Sequence, residues 1–399
     1  MIRHLLKIIW HRKRANALLI AELFLSFLVL FGLGTLVAVA AQGLRRAPGF
    51  AYADVWELRL STNNDPAAAI PTVARLLAQL RATPGVADVS LGAFGTPFST
   101  YSMSVKISTG PGGPPLAGDE VEADHRFAPL LQMAVLEGRW FEPHENSALR
   151  PVVINRELRQ ALFPHGPALG QRLQVRHFTT GQESGDALVV GVVGSYRAGG
   201  DLGAPGPVVF TCHNLADSAS HRVSYTLLVR VRPGSGAALE ERLVRTVAAV
   251  AKTWSTGVIS LADSRAAGLQ TALAPIIAGA LVSGFLLLNV ALGLFGALWQ
   301  TISRRRAEIG LRRAVGATGP GISGQFVAET LIITTLAVGP GVLVAVQFPL
   351  LGVFGLPAAL YGVGLALAVA LVYAFAAVCA AQPSWQAAGI RPAVALREE

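Results

Sequence analysis

The sequence predicts a membrane protein that combines four transmembrane α-helices with a large α+β domain outside the membrane. Apolar residues make up 52% of the 399 residues and charged residues only 14%, well below the roughly 25% of an ordinary soluble domain. Four separate stretches of about 25 residues are almost wholly apolar, which is enough to cross a hydrocarbon core of about 30 Å. The long interval between the first two stretches instead shows alternating strand and helix patterns.

The apolar stretches define the transmembrane helices and the segments between them. We expect helices over residues 15–41, 271–300, 322–348 and 356–381, a loop at 301–321, a short external loop at 349–355 and a tail at 382–399. The first helix ends in Ala38, Val39 and Ala40, which resembles a signal-peptidase site. Its apolar run exceeds the roughly 7–15 residues of a signal peptide, so we expect it to remain as an anchor.

Basic residues flank these helices unevenly. Five precede the first helix: Arg3, Lys7, Arg12, Lys13 and Arg14. Five more lie between the second and third helices: Arg304, Arg305, Arg306, Arg312 and Arg313. The positive-inside rule therefore places both segments, and both chain termini, in the cytoplasm. Residues 1–14 also carry apolar side chains at helical spacing, which predicts an amphipathic helix on the membrane surface, with a frayed charged terminus as the alternative.

Residues 42–270 then form an extracytoplasmic domain. They contain 21 Lys and Arg against 19 Asp and Glu, although the whole chain carries a formal charge of +9. The basic excess thus belongs to the membrane flanks and does not form a nucleic-acid-binding surface.

Two β-α-β patterns frame this domain. The first has a strand over 55–60, a helix over 70–82 and a strand over 86–91, and the second has the same elements over 225–231, 237–252 and 258–261. Two such halves can share one sheet with both helices on one face, so we expect a ferredoxin-like layer close to the membrane. The interval of about 112–207, with short strands at 151–154, 172–176 and 188–193, predicts an inserted distal lobe.

No catalytic or metal-binding pattern stands out. Cys212 and Cys379 lie far apart, and no lysine falls in a GxxxxGK phosphate loop. One acidic run is a candidate cation site and comprises Asp119, Glu120, Glu122, Asp124 and His125. Alternation along a strand, or a solvated edge, explains that run more simply. We therefore expect a protein without catalytic activity, cofactor or metal of its own.

The segment between the second and third helices carries the most specific motif. The candidate site residues are Arg304, Arg305, Arg306, Glu308, Ile309, Gly310, Leu311, Arg312, Arg313, Ala314 and Gly316. A short helix here has Ile309, Leu311 and Ala314 available for packing and charged side chains for polar contacts. Such a helix is suited to dock in a groove of another protein and to pass force to both adjoining membrane helices. A merely basic loop that sets the topology is the alternative.

This motif resembles the R-R-x-E-I-G-L-R-R-A-x-G-A-T sequence of MacB/FtsX-type ABC transporter permeases. Segments 138–141, 151–155, 162–164, 170–173 and 189–194 are similar, in that order, to the MacB-like periplasmic core domain of that family. Residues 383–399 resemble its closing sequence, whereas residues 56–101 match less well.

The resemblance implies an FtsX-like permease with a MacB-like core domain and no fused ATPase. It implies that the chain pairs with a second copy or a paralogue in the inner membrane of a bacterium. It also implies a separate cytoplasmic ABC ATPase subunit that binds ATP and Mg²⁺. In a host with an outer membrane, a periplasmic adaptor is a further expected partner.

Two acidic residues lie inside the predicted membrane helices. Glu329 is near the cytoplasmic end of the third helix, where an isolated carboxylate in lipid is costly. A tie to the loop through Arg312 or Arg313 is one interpretation, and snorkelling to the interface is the other. Glu22 in the first helix is the analogous case. Close helix packing is predicted at Gly279 with Ser283 and at Gly362 with Ala366.

Three functions follow as hypotheses. The first is a mechanotransmission permease that uses a partner's ATP hydrolysis to export or extract an amphiphilic cargo, such as a peptide, a lipoprotein or lipid, or a macrolide-like compound. The second is an FtsX-like signalling module that controls a cell-wall hydrolase or senses a peptide antibiotic. The third, a membrane-anchored enzyme, lacks a catalytic pattern. The size of the 42–270 domain favours the first.

Overall fold

The computed structural model describes residues 13–61, 66–92, 95–99, 103–110, 113–143, 145, 149–177, 183–197, 199–201, 205–213 and 224–388. The expected surface helix over 1–14 therefore lies almost wholly outside the described residues, as does the end of the expected tail. The helices are α1 (Lys13–Leu44), α2 (Pro66–Arg81), α3 (Phe127–Leu130), α4 (Arg156–Leu162), α5 (Ala237–Val250), α6 (Leu261–Arg304), α7 (Arg306–Ala314), α8 (Gly319–Leu350) and α9 (Ala358–Ala388).

The strands all belong to residues 55–260. They are β1 (Val55–Ser61), β2 (Val86–Gly92), β3 (Met103–Ser108), β4 (Leu116–Ala123), β5 (Val135–Gly138), β6 (Arg150–Asn155), β7 (Arg172–His177), β8 (Glu183–Val193), β9 (Val208–Cys212), β10 (Ser224–Val231) and β11 (Ser255–Ser260). The chain divides into two compact units: Gly43–Ala272 and the described residues on either side of it.

One part of the Gly43–Ala272 unit is a four-stranded antiparallel sheet in the order β11-β1-β10-β2. This is the order produced when two β-α-β halves share a sheet. Alternate residues such as Leu58, Leu60 and Leu227 point to one face, where α2 and α5 cover them with Leu76 and Leu243. Apolar side chains that recur every two residues in the strands and every three to four residues in the helices therefore meet in a single apolar core.

The second part of this unit is a closed circuit of six strands, β4-β3-β7-β8-β6-β9, in which β9 pairs back to β4 in parallel. We call these six strands the barrel. Its core comes from alternate residues of the strands, among them Val105, Ile107, Val152, Ile154, Leu173, Val175 and Val189. Strands β3 and β9 lie outside the interval 112–207 expected for the inserted lobe, yet both belong to the barrel. A single pair, Gly92 with Ala123, joins the barrel to the four-stranded sheet.

An aromatic core lies between these two parts. Phe127, Trp140, Tyr196 and Phe210 are buried with neighbouring ring centroids 5.2–6.4 Å apart. Leu228 of the four-stranded sheet joins the same cluster. Aromatic side chains bury much apolar area, so this cluster holds the two parts of the unit together where the strand pairing is sparse.

The four helices α1, α6, α8 and α9 are long and apolar enough to cross a membrane, which confirms the predicted fold class. The helix α6 begins at Leu261, ten residues before the apolar stretch. Ser260 explains this early start, because its hydroxyl accepts a hydrogen bond from the Asp263 N–H at 2.9 Å and so caps the helix. The sequence prediction of residues 271–300 was based on apolar residues alone and therefore missed the more polar first ten residues of this helix.

Helix packing in the other unit depends on two glycines. A Cβ placed on Gly341 would lie 2.4 Å from the Phe27 ring, and one on Gly364 would lie 2.7 Å from the Thr35 backbone nitrogen. The prediction of close packing at Gly362 is wrong, because Gly362 has open space around it. The buried face of α9 instead contains Gly364 and Ala368, each two residues after the predicted Gly362 and Ala366.

Candidate functional site

The predicted loop motif forms the nine-residue helix α7, which begins directly after α6. Ile309 is only 3% exposed and packs into one apolar cluster with Leu298 and Ile302 of α6 and with Ile322 and Phe326 of α8. This packing fixes α7 to the ends of both neighbouring helices.

The C-terminal end of α7 explains the glycine of the motif. Gly316 has a positive φ of 104°, which costs a residue with a Cβ about 1 kcal/mol or more. Its N–H donates to the Arg313 carbonyl at 3.2 Å, and the Ala317 N–H donates to the Arg312 carbonyl at 3.0 Å. This pair of bonds is the Schellman arrangement, which ends a helix sharply and lets α8 begin at Gly319.

A chain of polar contacts links α7 to Glu329. Arg305 Nη1 lies 3.4 Å from Glu329 Oε1, and Gln325 Nε2 donates to the same oxygen at 3.2 Å. Gln325 Oε1 in turn accepts from Arg312 Nη1 at 3.0 Å. Arg312 also pairs with Glu308 one turn earlier on α7. These five residues form what we call the loop network: Arg305, Glu308, Arg312, Gln325 and Glu329.

The loop network corrects one detail of the prediction. Glu329 does tie α8 to the loop, and Arg305 is a direct ionic partner that the prediction did not name. Arg312 reaches Glu329 only through Gln325, a residue that the sequence reasoning missed. The spacing of four residues between Gln325 and Glu329 is the signal that could have found it, because such residues are neighbours on a helix.

The outward face of α7 carries exposed apolar side chains beside charged ones. Leu311 is 56% exposed and Val315, one turn later, is 82% exposed. Ala307 and Ala314 are exposed beside them, and Arg304 and Arg306 are exposed at the start of the helix. The prediction grouped Ile309, Leu311 and Ala314 as packing residues. The structure separates them, since Ile309 faces the membrane helices and the other two face away.

Glu22, the other predicted intramembrane charge, lies apart from the loop network. It is half-buried in α1, and its carboxylate packs where a side chain on Gly293 of α6 would be, 3.2 Å from a Cβ placed there. The missing side chain of Gly293 thus provides room for the carboxylate between two membrane helices.

The acidic run of the sequence lies on and after β4 and makes internal pairs. Glu120 is buried and accepts a hydrogen bond from the Thr211 hydroxyl at 2.8 Å, while Glu122 Oε2 is 3.3 Å from His213 Nδ1. Asp124 accepts from the Ser90 hydroxyl at 2.6 Å and from the Leu91 N–H. Within the described part of the chain, no group of three metal-ligating side chains converges. These carboxylates are therefore explained by the polar groups that they satisfy.

Comparison with known proteins places the chain in a family. Residues 18–246 match the model of the MacB-like periplasmic core domain, and residues 280–392 match the model of the FtsX-like permease C-terminal region. Together with the four apolar helices, these matches define a multi-pass inner-membrane permease with a periplasmic domain. The chain belongs to the family of FtsX-like ABC transporter permeases that carry a MacB-like periplasmic core domain.

Two curated relatives are macrolide export ATP-binding/permease proteins. The chain is 26% identical over 232 residues to MacB 1/2 of Paracoccus denitrificans, covering 56% of this chain and 33% of that protein. It is 25% identical over 292 residues to MacB of Marinobacter nauticus, covering 69% of this chain and 42% of that protein. The chain thus spans less than half the length of either relative.

Two solved structures cover the periplasmic part. The periplasmic region of MacB from Actinobacillus actinomycetemcomitans is 11% identical, with a TM-score of 0.37, over 56% of this chain and 95% of that chain. The extracellular domain of the noncanonic ABC-type transporter YknZ from Gram-positive bacteria is 15% identical, with a TM-score of 0.35, over 51% of this chain and 99% of that one.

Proposed function

We propose that this chain is the permease subunit of an ATP-driven ABC transporter of the mechanotransmission type. In this proposal a separate cytoplasmic ATPase binds ATP and Mg²⁺ and moves α7, and the permease converts that movement into motion of the periplasmic domain. The permease itself binds no nucleotide. An amphiphilic cargo is thereby exported or extracted from the outer leaflet.

The observation that carries the proposal is the difference between the two faces of α7: one packs against the membrane helices and the other is exposed. Its inner face is locked into the apolar cluster around Ile309 and tied by the loop network to α8. Its outer face leaves Leu311 and Val315 in water, although burying such side chains is favourable by about 1.5–3 kcal/mol each. A helix that is packed on one side and presents exposed apolar side chains among charged ones on the other is suited to dock in a partner's groove and pass its displacement on.

Helix continuity supports the route of transmission. The helix α6 runs without a break from the start of α7 back to Leu261, a residue of the Gly43–Ala272 unit. Movement at the loop therefore has a continuous helix through which to reach the periplasmic domain. We propose that this end of α6 and both chain termini lie in the cytoplasm, which the basic residues around α7 support by the positive-inside rule.

The family supports the remaining parts of the proposal. Two curated relatives are named for macrolide export, which motivates an amphiphilic cargo: a peptide, a lipoprotein or lipid, or a macrolide-like compound. We propose that two permease chains, identical or paralogous, act together, and that a periplasmic adaptor binds in hosts with an outer membrane.

Co-purification from native membranes tests the proposal. The chain, tagged at its C-terminus, is expected to bring down a separate subunit that hydrolyses ATP. Recovery of the chain alone, with no ATP hydrolysis, would contradict the coupling mechanism. Recovery of a cell-wall hydrolase together with the ATPase would contradict the transport function and support the signalling function.

Variants of α7 sharpen that test. Replacing Leu311 and Val315 together by Asp is expected to abolish ATPase recovery while the chain still inserts in the membrane. Replacing Glu308 and Arg312 together by Ala should leave recovery intact but reduce permease-dependent ATPase stimulation, because the link to Gln325 is lost. Leu136→Asp is the matched control, since Leu136 is also an exposed apolar residue but lies on β5 of the other unit.

A further inference from the structure

A short segment of the periplasmic unit touches the ends of two membrane helices. It comprises residues 195–197 and 199–201, which follow shortly after β8. Two of its side chains, Arg197 and Asp201, are almost completely buried although both are charged. Buried charges are costly unless they are paired. The groups that pair with Arg197 and Asp201 therefore show which elements this segment contacts.

Arg197 holds the end of α1. Its Nη1 donates to the Gly43 carbonyl at 3.0 Å and to the Arg46 carbonyl at 3.1 Å, and its backbone N–H donates to the Pro48 carbonyl at 3.2 Å. Gly43 lies in the last turn of α1, where carbonyls have no partner within the helix. A guanidinium at a helix C-terminus also interacts favourably with the helix dipole.

Asp201 holds the beginning of α6. Its carboxylate accepts a hydrogen bond from Arg265 Nε at 2.6 Å, and Arg265 lies in the second turn of α6. The same guanidinium sits 4.8 Å above the ring centroid of Tyr52 and donates to the Tyr52 hydroxyl.

The other end of the segment is fixed in the aromatic core beside the barrel. Tyr196 is fully buried, its hydroxyl donates to the Gly95 carbonyl at 2.8 Å, and its ring lies 5.2 Å from Phe210 of β9. Strand β8, from which the segment emerges, pairs with β5, β6 and β7. One stretch of chain thus joins the barrel to both membrane helices.

We propose that Arg197, Asp201 and Arg265 form a clasp that makes the barrel follow the ends of α1 and α6. The clasp rests on the proposed function, since it is the step by which helix movement becomes movement of the periplasmic domain. Arg197 and Asp201 are positioning residues: they act through the helix ends that they bind. Breaking either contact leaves the helices able to move and reduces the movement of the barrel that follows, since the aromatic core then remains as the other connection.

Distances between pairs of spin labels test the clasp. The full chain, with Cys212 and Cys379 replaced by Ala, is co-purified with its ATPase subunit and placed in nanodiscs. One label pair, at Leu44 and Gly268, reports the two helix ends, and a second, at Gly268 and Leu169, reports the barrel against α6. Labelled chains are diluted with unlabelled copies, and distances are compared without nucleotide and with ATP and vanadate.

We expect both label pairs to respond to nucleotide in the otherwise unchanged chain. In Asp201→Asn, which keeps the shape of the side chain, the helix-end pair should still respond fully and the response of the barrel pair should be reduced. Arg197→Ala should behave likewise, whereas Arg139→Ala, which breaks an ion pair with Glu145 elsewhere in the unit, should respond normally. A merely structural role would shift the resting distances and leave the nucleotide response of the barrel in place.

Two results would overturn the clasp, and they are distinguishable. If the barrel pair responds normally in both Asp201→Asn and Arg197→Ala, the clasp is wrong while the coupling function stands. If neither pair responds in the otherwise unchanged chain, the proposed coupling itself fails and the clasp fails with it.

Discussion

Arg305 and Glu329 face each other across the junction between α7 and α8. Their side chains are 19% and 12% exposed, and the two charged atoms lie 3.4 Å apart. Gln325 donates to the same carboxylate oxygen, so the charge of Glu329 is partly satisfied from its own helix as well. The pair therefore fixes the first residue before α7 to the third membrane helix, at the point where a docked partner would apply force.

Removing the Glu329 carboxylate should destabilise the helix junction. Glu329→Ala leaves the Arg305 guanidinium largely buried without its partner, and the loss is expected to be about 2–3 kcal/mol. Glu308→Ala, which breaks a half-exposed pair with Arg312 on the surface, should cost less than about 1 kcal/mol. Thermal unfolding of both variants in detergent measures the difference, and equal losses would contradict a structural role for the Glu329 pair.

Close helix packing predicts a sharp contrast between two glycines of α9. Gly364→Ala places a Cβ 2.3 Å from the Thr35 hydroxyl and 2.7 Å from its backbone nitrogen, so α1 and α9 must separate. Overpacking of this kind costs about 1–3 kcal/mol. Gly362→Ala, in the same helix but facing open space, is the control. Thermal unfolding should distinguish the two, and a loss in Gly362→Ala as large as in Gly364→Ala would show that the packing face is misassigned.

The thiol of Cys212 should be unreactive near neutral pH. Burial raises its pKa from 9.0 to about 11, so at pH 8 the thiolate fraction is about 100-fold lower than that of a free thiol. In a Cys379→Ala background, the rate of carboxamidomethylation by iodoacetamide should be low and rise about tenfold per pH unit below the pKa. The chain unfolded in detergent and urea is the reference. Equal rates in the folded and unfolded chain would contradict the burial of this thiol.

Much of the fold could be predicted because its signals are local. The four apolar stretches, the alternation in β1 and β2 and the spacing of Leu76 and Leu80 each lie within one segment of chain. Strands β3, β5 and β9 were not predicted, and a strand was only one of two interpretations of the acidic run in β4, since its burial depends on partners far along the chain. Glu120, for example, is satisfied by Thr211, 91 residues away.

The candidate site was predicted in outline and missed in its contacts. The motif identified α7, and the charge of Glu329 identified a tie to the loop. Which arginine meets Glu329, and whether Gly362 or Gly364 faces α1, depends on the rotation of each helix about its axis. That rotation is set by packing between helices and leaves no local pattern. The carbonyls of Gly43 and Arg46 that Arg197 Nη1 binds, likewise, lie more than 150 residues earlier in the chain.

Photocrosslinking from α7 tests the central claim most directly. The photoreactive amino acid p-benzoylphenylalanine is introduced at Leu311, at Val315 and, as a control, at Leu136, and native membranes are irradiated. We expect position 311 and position 315 each to form an adduct with a cytoplasmic ATP-hydrolysing subunit. Position 136 should form no adduct with that subunit. Adducts only with lipid, or no adduct from either α7 position, would contradict the proposal that α7 docks on an ATPase.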